Sequence, residues 1–296
     1  MAGLLQFSAP TALGYFAALV ADDASLPVLE AAVSVAQDED PNLDTQNVLS
    51  QIDALAGKLR RRVPADAAPL QRLRLLNHYF FQELGFAGNV NDYYDRRNSL
   101  LPAVVESRRG IPLTLALLYI ELATQIGLRA HGVAFPGHFL VKLQMPRTTG
   151  SAEGPARGGD VIIDPFSGRS LGREELEERL LPYRQQRGLS GDDEVPLGLF
   201  LQPAQPRDII ARLLRNLKEV HRSARDWSRL AAVLQRLVIL LPQEWEERRD
   251  HALVLHHLGR CDLAADELRS YLEHRPDAPD VPALRRQLAV WLRERH

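Results

Sequence analysis

ESRRGIPLTLALLYIELATQIGLRAHGVAFPGHFLV, residues 106–141, is the stretch whose reading decides the fold. Between positions 112 and 126 apolar residues occupy almost every side of a helix, interrupted only by Thr114, Glu121, Thr124 and Gln125. A helix apolar on nearly all sides belongs in the middle of a core, not on a surface. Pro112 suits the first helical turn, where its missing N–H costs nothing and its fixed φ fits. Gly127 suits the left-handed residue that closes a helix. Residues 128–134 then read as a strand, Phe135-Pro136-Gly137 as a turn, and 138–143 alternates as a second strand opened by His138.

Outward from this segment, the N-terminal 85 residues read as helices. Val48, Ile52, Leu55 and Leu59 mark one helical face that ends in the basic run Arg60-Arg61-Arg62. That run is read as a solvated, charge-complementing helix end. Asp66 is a candidate cap for a helix over 70–84 that stops at Gly85, and Asn98 or Ser99 for one over 100–107. The loop NVNDYYDRRNS, residues 89–99, carries two tyrosines, and its Asp92 and Asp95 are expected to make turns and caps, not to bind a metal. Residues 147–160 are glycine-rich and read as a long mobile hairpin loop before a strand at 161–164, with a charged helix at 173–181.

Beyond residue 206 the pattern is wholly helical and periodic. Pro242 and Pro276, Trp227 and Cys261, and Ala231 and Ala265 each stand one 34-residue period apart, a spacing that resembles tetratricopeptide repeats. Helices are expected near 208–223, 227–240, 244–258, 261–274 and 280–293. Two hairpins and a capping helix are too few for a free-standing solenoid, so the module is expected to dock on the first domain. The divisions read from sequence are 1–185 for a helical N-terminal region with the core, 186–206 for a linker, and 207–296 for the repeats.

Composition narrows the function classes. Apolar and charged fractions of 45% and 25% are those of a soluble globular protein. A net charge of −2 supplies no basic field for nucleic acid, which counts against a direct transcription regulator. No apolar run or leader pattern points to a membrane or to export, so the expected location is cytoplasmic. The one cysteine, Cys261, rules out an internal disulfide framework and a cysteine-based zinc site.

The order helix, strand, His strand, Asp strand resembles the transglutaminase-like core of the papain-type fold. Gly110, Ala116, Leu118, Gly127, Leu128 and Ala130 fall at the spacing of that family's G-x-C-x3-A-x-L and G-[IL]-x-A patterns. His138 and Asp164 match its histidine and aspartate, and the position of its cysteine is Pro112. The segments 91–99, 108–112, 136–141 and 163–168, followed by a helical-repeat tail, narrow the likeness to the bacterial SirB-type family, with Arg96 and Pro102 as departures. The resemblance implies an α+β fold with a small antiparallel sheet, followed by an all-α tetratricopeptide-repeat module. It also implies a vestigial triad at Pro112, His138 and Asp164. Proline offers neither a nucleophile nor an N–H for an oxyanion hole. The expected function is therefore non-catalytic binding of a peptide or protein partner, in a regulatory role, through Tyr94, Arg109, Thr114, His138 and Asp164, without metal or cofactor. The alternative is a hydrolase or acyl-transfer enzyme of that superfamily using another nucleophile, with Thr114 and Ser107 as the candidates, or water activated by His138.

Overall fold

The computed structural model describes residues 11–145, 159–188 and 195–293. The loop expected at 147–160 lies largely outside them, as does part of the expected linker. The described residues open with α1 (Ala12–Leu19) and α2 (Val28–Ser34), the latter running into a 3-10 turn over Val35–Asp38. Asp44–Ile209 then forms one compact unit, and the described residues before Asp44 join those from Ile210 onward in a second.

In the first unit, α3 (Thr45–Arg60) presents Val48, Ile52, Leu55 and Leu59 to the core, as its periodicity predicts. α4 (Pro69–Asn77) starts on Pro69, whose fixed φ suits the first turn, and Asp66 does not cap it. The expected helix over 70–84 changes to a π-helix over His78–Glu83. The wider turn brings Tyr79 and Phe80, neighbours in sequence, inside together, where Phe80 stacks on Phe86 at 4.5 Å. Asn98 and Ser99 sit in a 3-10 turn over Arg96–Ser99, capped by Asp95, whose Oδ1 accepts from Arg97 N at 2.9 Å. α5 therefore starts later, as Leu101–Ser107, with Pro102 in its first turn. Two-residue strands β1 (Ala87–Gly88) and β2 (Arg109–Gly110) pair in parallel.

The central helix α6 is Pro112–Gln125. Ten of its fourteen residues are buried, and Gly127 takes φ +78° just beyond it. Its polar end faces out, where Gln125 Nε2 donates to Asp53 on α3 at 2.7 Å. α6 packs against β3 (Arg129–Val133) and β4 (Leu140–Gln144), which with β5 (Asp160–Asp164) and β6 (Arg169–Leu171) form an antiparallel sheet in sequence order. α7 (Arg173–Arg187) buries Leu176 and Leu180 against Val133, Leu140 and Ile162. The expected linker is not free of the core. Its short α8 (Leu197–Phe200) buries Leu197 in the same cluster, and Ala204 N donates to Gly132 O at 2.8 Å.

The second unit holds the rest of α9 (Pro206–Ser223) and α10 (Trp227–Leu240), α11 (Trp245–His257), α12 (Cys261–His274) and α13 (Val281–Arg293). All five expected repeat helices are present, within two residues at each end. Sequence reading put the residues before Asp44 with the core, but a buried ion pair groups them with the repeats. Arg236 on α10, fully buried, meets Asp38 through Nε and Nη2 at 2.6 and 2.7 Å and lies over the Phe16 ring. Glu39 adds a contact to Arg229 at 2.8 Å. No helix among the described residues is long and apolar enough to cross a membrane.

Candidate functional site

The site grows from two turns at the same end of the two inner strands of the sheet. Before β4, Pro136 and Gly137 turn the chain and His138 N donates to Phe135 O at 3.0 Å. His138 therefore belongs to this turn, two residues ahead of the strand it was expected to open. After β5, Asp164-Pro-Phe-Ser-Gly168 turns the chain into β6. The antiparallel register pairs Val141 with Ile163, so the two turns face each other across one end of β4 and β5.

His138 Nε2 stands 2.8 Å from Asp164 Oδ1. An ionised carboxylate only accepts, so Nε2 donates the proton of this bond, and Nδ1 is the ring nitrogen left over. Asp164 is almost wholly buried, and burial alone would raise its carboxyl. The hydrogen bond and charge of His138, the Phe166 N–H at 2.9 Å and the Ser167 hydroxyl at 2.9 Å outweigh that and hold it down at about 2. Arg179 on α7 adds a more distant cation, 3.7 Å from Oδ2. The carboxylate is thus ionised at neutral pH and the imidazole is fixed by it. This is the arrangement that orients a general base.

Beside the Asp164 turn lies the tyrosine loop. Gly88 N donates to Phe166 O at 3.0 Å, and a Cβ at Gly88 would stand 2.3 Å from the Phe166 ring, so only glycine allows this approach. Tyr93 lies 6.0 Å from Phe166, ring to ring, and 5.4 Å from Tyr94. Tyr94 is 80% exposed and Val90 76%, both unusual for residues of their size in a folded domain. Asn98, buried, holds the loop by donating to the Asp92 and Tyr93 carbonyls at 2.7 and 3.2 Å.

The other residues named from sequence take supporting places. Thr114 is fully buried and shares its hydroxyl proton between Asn98 O at 2.8 Å and Ile111 O at 3.1 Å, tying α6 to the tyrosine loop. Arg109 is exposed but donates to Gly85 O at 2.6 Å and Arg108 O at 2.9 Å. Pro112 is buried at the first position of α6. Ser107 Oγ is occupied by the main chain of Arg109, so both hydroxyls considered as substitute nucleophiles are engaged elsewhere. Sequence reading did not single out Ser167 or Arg179, and it took Asn98 only as a candidate helix cap. The Asp-Pro-Phe-Ser-Gly composition was the available signal for the first, since a Ser three residues after Asp in a turn can bond back to it. No group of three potential metal ligands occurs among the described residues.

A buried α6 against an antiparallel sheet, with a His–Asp pair at the end of its inner strands, defines the class as a transglutaminase-like core, here joined to helical repeats. The profile of the transglutaminase-like superfamily matches residues 46–215, and that of the tetratricopeptide repeat matches 217–289. A UPF0162 protein of Xylella fastidiosa is 36% identical over 275 residues, covering 93% of each chain. A UPF0162 protein of Pseudomonas aeruginosa is 30% identical over 215 residues, 73% of this chain and 72% of that one. Mouse F-box only protein 21 is 39% identical over 72 residues, 24% of this chain and 12% of its own length. The chain belongs to the UPF0162 family of the transglutaminase-like superfamily. No solved structure matches it.

Proposed function

We propose that this protein is a cytoplasmic, non-catalytic binding protein that holds a peptide or protein segment in the cleft beside His138 and Asp164, in a regulatory role. The observation that carries this reading is the pairing of a fixed, ionised His–Asp couple with exposed aromatic surface, where the resemblance puts proline at the nucleophile's position. Tyr94 and Tyr93 offer large contact area with little side-chain freedom to lose. His138 Nδ1 can accept a backbone or side-chain N–H of a bound segment. Tetratricopeptide repeats favour the same kind of partner.

The persistence of the His138–Asp164 pair favours one second reading, a hydrolase that uses water activated by His138 or a nucleophile other than cysteine. One experiment separates the two. The intact protein is crosslinked in a bacterial lysate, and the recovered partner is quantified for wild type, Tyr94→Ala and His138→Ala. Binding predicts one partner whose recovery falls roughly tenfold in both variants, about the effect of losing one well-placed contact. Hydrolysis of activated esters that disappears in His138→Ala would instead establish the enzyme. A partner captured equally by all three proteins would remove the cleft from the account.

A further inference from the structure

The repeat unit holds an open cavity of its own. A cavity of about 290 Å³ lies between α10, α11 and α12. On α10 its wall is made by Ser228, Ala231 and Ala232, on one helical face and small enough to leave the space open. Across it, Leu263 on α12 is 56% exposed, a large apolar side chain at the rim with no cover. Leu255 and His251 on α11 line the cavity as well, both buried.

His251 is only 6% exposed, yet its Nδ1 has no hydrogen-bond partner. Glu267 Oε1 stands 3.8 Å away, beyond hydrogen-bond reach. Leaving a buried polar nitrogen unpartnered is costly, and such groups in native proteins commonly mark a missing ligand or water. Glu267 already has a cation, since Arg248 Nη1 lies 2.9 Å from its other oxygen. Burial works to raise the Glu267 carboxyl, but His251 and Arg248 outweigh it and hold it below the usual range, so it is ionised and accepting.

We propose that this cavity receives the side chain of a tyrosine from a partner polypeptide, its ring lying between Ala232, Leu255 and Leu263 and its hydroxyl donating to the His251–Glu267 pair. The chemistry selects among side chains. Phenylalanine would fill the space and leave His251 unpartnered. Lysine would add an unmatched positive charge where Arg248 already neutralises Glu267, and burying an unmatched charge is expensive. Tryptophan carries its N–H on the flank of the ring, away from the end that reaches the floor. Serine is too small to exclude water from a space of this volume. A phenol combines an apolar body with one terminal donor.

The test uses the full-length protein and two probes, N-acetyl-tyrosinamide and N-acetyl-phenylalaninamide, titrated while backbone amide resonances of α10–α12 are followed. The tyrosine probe should bind saturably with a Kd on the order of 1 mM, as befits a small fragment. The phenylalanine probe should bind roughly tenfold more weakly, the difference one satisfied hydrogen bond makes. Ala232→Phe, which fills the cavity, should abolish binding. Ser228→Trp at the exposed rim gives a second block that leaves the helix interfaces untouched. His251→Phe should make the two probes equivalent. Equal binding of both probes, tighter binding of N-acetyl-lysinamide, binding that survives both blocking variants, or no saturable shift at tens of millimolar probe would each overturn the proposal.

Discussion

The two units hold their charges in opposite ways. In Asp44–Ile209, His138, Ser167, the Phe166 N–H and the more distant Arg179 all converge on one buried carboxylate at the end of β5, Asp164. In the repeat unit, charges form chains that tie helix to helix. Lys218 on α9 bridges Glu247 and Asp250 on α11 at 2.5 and 2.7 Å, and Arg249 continues from Asp250 to Asp280 at 2.8 and 2.7 Å. Arg236 and Asp38 join α10 to the N-terminal helices. A chain of pairs between helices is scaffolding, because each link satisfies its neighbour and none is offered outward. A carboxylate with several donors and a partly exposed imidazole on it is instead the arrangement we propose as a binding site, because one ring nitrogen remains to meet something else.

The comparison breaks first at Arg236. If the repeat unit depends on such links, Asp38→Ala should destabilise it by about 3–5 kcal/mol, the usual effect of stranding a buried charge. Arg236→Met, which removes the fully buried charge and leaves the more accessible Asp38 carboxylate to be hydrated, should cost less. All three tryptophans, Trp227, Trp245 and Trp291, lie in the repeat unit, so tryptophan fluorescence during urea unfolding reads this unit alone. A midpoint unchanged in Asp38→Ala would show that residues before Asp44 are not part of the unit's stability.

That link also marks where sequence reading stopped. Helices α9–α13 were legible because each is written locally, in a 3.6-residue pattern repeated after 34 residues, and α6 because its apolar character runs all the way round. The joining of residues before Asp44 to the repeats rests on an ion pair between positions 198 apart, and no local pattern encodes such a partner. The π-helix at His78–Glu83 was invisible for a different reason. One extra residue in a turn leaves the apolar content unchanged and moves only its phase. In the site, His138 and Asp164 were legible by resemblance. Ser167 was not, and Asn98 was read only as a cap candidate, because their importance lies in what they hold in place.

The comparison sharpens with pH. The folded Asp164 value, about 2, lies below the roughly 3.9 of an unfolded aspartate. The carboxylate therefore stabilises the core above about pH 4, and that contribution is lost as the pH falls toward 2. The difference amounts to roughly 2–3 kcal/mol. Hydrogen exchange of the β4 and β5 amides between pH 2 and 5 should show it, and Asp164→Asn should flatten the response. A response unaltered in the variant would mean that other carboxylates set the acid sensitivity of the core.

The smallest effect on stability should come from Pro112, and it bears most directly on the site. A first-turn proline acts chiefly by restricting the unfolded chain, so Pro112→Cys should cost about 1 kcal/mol or less. If position 112 is the nucleophile's place, the new sulfur sits at the N-terminus of α6 facing His138. The helix end and an imidazolium both favour a thiolate. Although position 112 is buried, a reagent as small as iodoacetamide should alkylate this thiol at neutral pH faster than Cys261, the half-buried cysteine already in the chain. Adding His138→Ala should slow the reaction, while leaving Cys261 unaffected. Return of acyl-transfer activity is not required, since the tyrosine loop beside the pair shapes a different surface. A thiol at 112 no more reactive than Cys261, and indifferent to His138, would show that the pair faces away from the helix end. The His138–Asp164 couple would then be one more structural link, like those of the repeats, and the contrast between the two units would disappear.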